Sequence, residues 1–129
     1  MTFITKDSGE RQEFDSGMRR DITTGKPDFF LCLTEVPYEQ QLLTRWAMLM
    51  TRGAEKYGRR NWQLANSEEE LERFKSSAFR HFVQWIANGE PDEDHAAAVL
   101  FNINAYETIK YKMSKDSESM ERLWDKLQG

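Results

Sequence analysis

From position 37 onward the apolar residues fall three and four apart, and the chain reads as helices. Leu43, Trp46, Ala47, Met50, Ala54 and Tyr57 form one stripe, the spacing that places side chains on a single helical face. Pro37 suits the first turn of such a helix and Gly58 its end, so the pattern predicts helix one over about 37–57. Glu39 points near the centre of the stripe and Glu55 away from it. Ser67-Glu68-Glu69-Glu70 reads as a capping box, with Ser67 as N-cap and Glu70 three residues on. Leu71, Phe74, Ala78, Phe82, Trp85 and Ile86 then form the core-facing stripe of helix two, which ends at Asn88-Gly89. A polar flank of Glu70, Arg73, Ser77, His81 and Gln84 lies beside it, with His81 nearest the core. Pro91 opens helix three, and the acids of its first turn complement the helix dipole. Ala96 to Tyr106 is apolar almost all round, the mark of a central, enclosed helix. His95, Asn102 and Ile109 repeat every seven residues and share one line. Two polar side chains therefore face packed surroundings, where an unsatisfied group costs about 1–3 kcal/mol. Behind a Ser117 cap, Met120, Leu123, Trp124 and Leu127 predict a short last helix over 117–128, whose narrow stripe covers the bundle or meets a second subunit.

Before Val36 neither a helical nor a strand period persists. Glycines recur at 9, 17 and 25, two of them closing the tripeptide Asp-Ser-Gly at 7–9 and 15–17, so residues 1–36 read as an ordered but irregular arm, with a flexible terminus as the alternative. Phe3, Phe14, Phe29, Phe30 and Leu31 favour order, because apolar surface costs about 25 cal/mol per Å² to leave in water. The expected architecture is all-α: a compact bundle of about four helices in one domain over 1–129, with a helical core at 37–113. A length of 129 residues suits one domain. A net charge of −4 argues against a broad nucleic-acid footprint. The balance is uneven, with ten Lys/Arg against nine Asp/Glu in residues 1–60 and eight against thirteen in 61–129. Cys32, the one cysteine, sits among Phe30, Leu31 and Leu33 and reads as a buried thiol in a reducing cytoplasm. No run is long enough to span a membrane, and Met1 to Arg11 lacks the apolar region of a secretory leader.

Chemistry concentrates in the stretch from His81 to Asn102. Asp92, Glu93 and Asp94 offer hard oxygen ligands, which with a carboxylate from another helix could hold Mg²⁺ or Mn²⁺ against phosphates. Plain capping of a helix start is the competing account. Asp94 lies at the margin of the enclosed face and can turn inward with His95. His81 and His95 are either satisfied core histidines or part of a site. The lone cysteine and the absence of close His/Cys spacing argue against zinc. The His-Asp doublet of metal phosphohydrolases is absent, since the order here is Asp94-His95. At the end of helix one, Gly53 to Trp62 joins Lys56, Arg59, Arg60, Glu55 and an indole. The cations there either complement the helix C-terminus or neutralise phosphates while Trp62 stacks on a base. Lys6, Arg11, Arg19, Arg20 and Lys26 add cations in the arm, and no phosphate-binding glycine loop occurs.

Lys6-Asp7-Ser8-Gly9-Glu10-Arg11, Arg20-Asp21, Gly25-Lys26-Pro27, Gly53 to Gly58 with Asn61-Trp62, Ser77 to His81, and Asp92 to Ala98 with Asn102 resemble, together and in order, the phage dATP/dGTP diphosphohydrolase family over about residues 5 to 107. That resemblance implies a fold akin to the MazG-like nucleoside triphosphate pyrophosphatases. It implies an oligomeric enzyme, a dimer or tetramer, that uses Mg²⁺ or Mn²⁺ to split purine deoxynucleoside triphosphates, and a role in the nucleotide pool for phage DNA synthesis in the host cytoplasm. One departure is plain: no clean pair of Glu-x-x-Glu and Glu-x-x-Asp motifs occurs in helices one to three, and Glu69/Glu72 and Glu90/Glu93 fit only loosely. The expected metal ligands are Glu55, Asp94 and Asp92, with Glu55, His81 and His95 as catalytic groups. Lys56, Arg80, Asn61, Trp62, Asn102, Arg20 and Lys26 are the expected substrate contacts, Asn102 either orienting His95 or reading the base. Nucleic acid and membrane are not expected partners. A non-catalytic nucleotide-binding protein and a small adaptor that uses the 120–127 stripe stand as alternatives.

Overall fold

The computed structural model describes residues 3–7 and 9–128. Ser8, at the centre of the first Asp-Ser-Gly, and the first two residues of the stretch read for a leader lie outside them. The chain divides into two compact units, one ending at Leu33 and the other beginning at Thr34.

The first unit is built on a short antiparallel hairpin rather than an irregular arm. Strand β1 (Arg11–Glu13) pairs with β2 (Arg19–Asp21) in the register Arg11↔Asp21, Gln12↔Arg20 and Glu13↔Arg19. The connecting turn is closed by Phe14 N–H to Met18 O and Gly17 N–H to Phe14 O, both 2.8 Å. Gly17 sits at φ 91°, a conformation that costs a side-chain-bearing residue but not glycine. Three-residue strands are too short for an alternating pattern to emerge, so the periodicity could not announce them. Asp28 then caps a 3-10 turn at Phe29–Cys32 by accepting from Phe30 N–H at 3.1 Å. Phe29, Phe30 and Leu31 stand in solvent, each about four-fifths exposed, and Cys32 is exposed as well. The expected buried thiol is thus corrected: a single 3-10 turn offers no second layer to cover it.

The second unit holds three helices, α1 (Leu42–Tyr57), α2 (Glu68–Ala87) and α3 (His95–Gln128). Pro37 opens a 3-10 turn at Tyr38–Gln40, and the extended Gln41 separates that turn from α1, which begins five residues later than the apolar spacing suggested. Buried Gln41 explains the break. Its Nε2 donates to Thr34 O (2.6 Å) and Val36 O (2.8 Å), and its Oε1 accepts from Thr34 N–H at 3.1 Å. A side chain satisfying three backbone groups of the incoming strap competes with continuation of the helix. Glu39, left on the 3-10 turn, is exposed. The ends of the next helix fall where expected. Ser67 Oγ accepts from Glu70 N–H at 3.2 Å, and Glu70 Oε1 returns to Ser67 Oγ (2.7 Å) and Asn66 N–H (3.0 Å). Asn88 ends α2 in the left-handed conformation.

The core lies where α3 meets α2. Leu71 and Ile109 are buried with Ala65, and Phe74, Tyr106 and Met113 pack around them. His95, Ala97, Ala98, Asn102, Ala105 and Ile109 make the buried line of α3, as the heptad spacing anticipated. The inward face of α2 keeps Leu71, Phe74 and Ala78 of the expected stripe and departs from it in the second half. Leu71 and His81 are its buried residues, whereas Phe82, Trp85 and Ile86 look outward with Phe79 and Val83. His81 takes the place expected of Phe82, its Nδ1 meeting His95 Nδ1 of α3 at 3.0 Å. Helix three begins at His95, not Pro91, with Asp94 capping it through Ala97 N–H (3.1 Å). It runs unbroken to Gln128, so no separate helix occupies 117–128 and, among the described residues, three α-helices stand where about four were expected. Among the described residues no helix is long and apolar enough to cross a membrane.

Candidate functional site

Within the second unit, a cleft of ≈ 1220 Å³ opens between α1, the loop after it, and the near faces of α2 and α3. Two left-handed residues shape its floor. Gly58 (φ 93°) ends α1 by donating to Ala54 O at 2.9 Å, and Arg60 (φ 62°) launches the 3-10 turn Asn61–Leu64. That turn lays Trp62 against Phe101 of α3, ring centroids 5.9 Å apart at 88°, and Phe74 of α2 meets Phe101 at 6.5 Å and 86°. Edge-to-face rings of this kind hold one another in place. Arg45, Arg52 and Lys56 from α1, Arg60 from the loop and Arg73 from α2 bring five cations to the same walls.

Acids face these cations from the turn that precedes α3. Asp94 grips Arg45 in a bidentate pair, Nε to Oδ2 at 2.8 Å and Nη2 to Oδ1 at 2.7 Å. The guanidinium holds the Asp94 carboxyl below its ordinary range against the opposing effect of burial, and the carboxylate in turn raises Arg45. Both oxygens of Asp94 are thereby engaged, one also capping Ala97. Glu70 lines the cleft too, yet the Asn66 amide and the Ser67 hydroxyl draw on its carboxylate and lower its pKa. Asp92 and Glu93 are the remaining acids of that wall.

Behind the acidic turn lies the histidine pair. His81 is 8% exposed and His95 6%, and their Nδ1 atoms approach to 3.0 Å. His95 Nε2 faces two carbonyls, Gly89 O at 2.8 Å and Glu90 O at 3.2 Å. Carbonyls only accept, so Nε2 carries a proton, and of the two imidazole tautomers these contacts select the one with its lone pair at Nδ1. Burial pushes His81 below its usual pKa, a charge on nearby Glu93 opposing. The turn supplying those carbonyls contains Asn88 (φ 54°) and Glu90 (φ 48°), both left-handed. His95 opens on a smaller hollow of ≈ 470 Å³, which shares Arg45 and Asp92–Asp94 with the larger cleft. Neither histidine lines the larger one.

The expected site residues separate into groups. Lys56, Asn61, Trp62, Asp92 and Asp94 meet at the cleft. Glu55 is exposed on α1 and Arg80 is exposed on α2, and neither is part of its lining. Asn102 is buried and donates from Nδ2 to Ala98 O at 2.8 Å, within its own helix. Arg20 and Lys26 belong to the first unit. Sequence reasoning missed Arg45, Arg52, Arg73, Phe74 and Phe101 as cleft residues. Arg45 carried a signal, as a cation set among Leu43, Trp46 and Met48. The rest looked like ordinary surface or core until the helices were placed.

Cations from several elements, edge-to-face rings and an acidic turn around one cleft define a mostly helical domain suited to an anionic ligand with a flat ring. Residues 15–118 match the family described as dATP/dGTP diphosphohydrolase, N-terminal, and the chain belongs to that family. Its description names a hydrolase of dATP and dGTP, and the part matched is the N-terminal one. No curated protein and no solved structure matches the chain.

Proposed function

We propose that this protein hydrolyses purine deoxynucleoside triphosphates, dGTP or dATP, at the α–β phosphoanhydride. Water oxygen bonds to the α-phosphorus, the bond from that phosphorus to the bridging oxygen breaks, and pyrophosphate leaves from the monophosphate. The observation that carries this reading is the meeting of five cations with the Trp62–Phe101–Phe74 rings in one cleft. A triphosphate brings about four negative charges, and such charge in a half-enclosed site requires cations at several points. Lys56, Arg52, Arg60 and Arg73 would take the phosphates. Trp62 would stack on the base, with Asn61 beside it. Arg45 would hold Asp94 in place.

Mg²⁺ or Mn²⁺ is the expected cofactor, and the donor set fits in part. Asp92 is a hard oxygen donor on the cleft wall, of the kind these ions prefer. Asp94 has three of its lone-pair positions taken by Arg45 and Ala97 and keeps one on Oδ2, while Glu55 could join only by moving into the cleft. A bound divalent ion would polarise the phosphates and lower the pKa of an attacking water. His81 and His95, set back from the cleft, would steady the acidic turn rather than touch substrate. The outward apolar face of α2, including Trp85 and Ile86, supports a homo-oligomer. The setting would be the host cytoplasm, with the enzyme phage-encoded and shaping the pool for DNA synthesis.

A second reading has one observation in its favour. Since Asp94 is engaged by Arg45 and Glu55 lies off the cleft, the carboxylate set is smaller than a metal hydrolase usually holds, which suits a binding protein that sequesters nucleotide. Incubation with dGTP and dATP in the presence of Mg²⁺ or Mn²⁺, read as pyrophosphate release, separates the two. Hydrolysis is expected, with Trp62→Ala weakening nucleotide binding roughly tenfold or more through lost stacking. Tight binding without pyrophosphate would leave the sequestering role.

A further inference from the structure

We propose that His81, His95 and Glu93 form a binding site for a divalent transition metal of the zinc class, distinct from any ion held with nucleotide in the larger cleft. One ligand atom from each of the three lies within 4.8 Å of the other two. Two imidazoles and a carboxylate are a donor set that such ions take in three-ligand sites with one position open.

The orientation of His95 is that of a prepared ligand. Its Nε2–H is held by the carbonyls of Gly89 and Glu90, and metal-binding imidazoles typically donate their second ring N–H to such acceptors, which fixes tautomer and ring plane. The lone pair of Nδ1 then points at His81 Nδ1, 3.0 Å away. Two lone pairs that close repel, so either a proton or a cation lies between them. An ion bonded to both nitrogens at about 2.0–2.1 Å in tetrahedral geometry sets them roughly 3.3 Å apart, a few tenths of an ångström beyond the observed separation. Glu93 is exposed, so rotation of its side chain can bring its carboxylate in without disturbing the core. The hollow lined by Glu93 and His95 leaves the fourth position open to water or a small anion. The histidines lie fourteen positions apart in the chain, which is why no close ligand spacing appears in the sequence. An ion there would tie the middle of α2 to the start of α3.

The site binds its ion without nucleotide and is tested that way. The full chain, stripped with chelator, is titrated with Zn²⁺ and with Co²⁺, and the coordination sphere is read by X-ray absorption and by the visible bands of Co²⁺. One ion per chain with imidazole nitrogen ligation is expected, together with a rise in Tm. Loss of a mere supporting partner commonly weakens such sites 10–100-fold, so Glu93→Gln should weaken uptake by at least about tenfold while leaving helical content unchanged, and His81→Asn should abolish uptake. No stoichiometric uptake, an ion without imidazole nitrogen, or affinity unaltered in Glu93→Gln would each overturn the site.

Discussion

The two halves of α3 share one helix and a similar apolar rhythm, yet they live in different environments. From His95 to Ile109 the inward line is buried, and it includes an imidazole and an amide. From Ser114 to Gln128 every residue is exposed, including Leu123, Trp124 and Leu127. The more polar line is the enclosed one. Helical spacing creates a face, but burial requires a second element to lie on it. Helix α2 and the Trp62 turn cover the first half, and near its end Lys112 Nζ reaches Gln63 O at 2.8 Å and Met113 packs against the core. Beyond that point lie solvated pairs within the helix, Glu118 with Lys115 at 3.2 Å and with Arg122 at 3.8 Å, whose attraction is screened by water.

Substitutions in the two halves should therefore differ most. Ile109 is wholly enclosed, and Ile109→Ala should cost about 2–5 kcal/mol in chemical denaturation. Trp124→Ala should change stability by less than about 0.5 kcal/mol. A comparable loss at both positions would break the contrast and show the lower half to be covered, for instance by a second copy of the chain. Next in size is the clamp that anchors the upper end. Asp94→Asn replaces charge-assisted hydrogen bonds to Arg45 and should cost about 1.5–3 kcal/mol. Its pH dependence sharpens the point. Arg45 lowers the folded-state pKa of Asp94 beneath the ordinary 3.8, so below that value the unfolded chain takes up the proton first. The clamp's contribution is complete above the ordinary carboxylate range and is lost as pH falls through the lower folded value, and Asp94→Asn should flatten this acid limb. A smaller effect than the clamp's falls at the helix that covers the upper half, where Ser67→Ala removes the α2 cap and should cost about 1 kcal/mol.

Much of the helical layout was legible because its signals are local. The Ser67–Glu70 capping box, the Gly58 stop and the Asn88 left-handed end depend on neighbouring residues and fall where the chain announces them. The line of His95, Asn102 and Ile109 was legible for a related reason, since a seven-residue repeat fixes shared facing whatever the neighbours are. What failed needed information from elsewhere in the chain. The start of α1 moved because Gln41 bonds back to Thr34 and Val36. The second half of α2 turned because His81 pairs with His95 on α3. In the candidate site, Lys56, Asn61, Trp62 and Asp92 could be named in advance from a conspicuous loop and acidic run, whereas Arg73 and Phe101 sit in helix interiors with nothing local to distinguish them.

By itself the sequence determined that this chain makes capped amphipathic helices, that two histidines and an asparagine lie on inward-facing positions, and that cations and an indole gather after the first long helix. Tertiary structure alone decided which acid is tied up by Arg45, that His81 and His95 face each other at 3.0 Å, and that cations and rings far apart in the chain line one cleft. The reason is physical. Caps and helical faces are set by bonds and rotations spanning a few residues, while a site is set by distances between elements, and those exist only after the helices have packed.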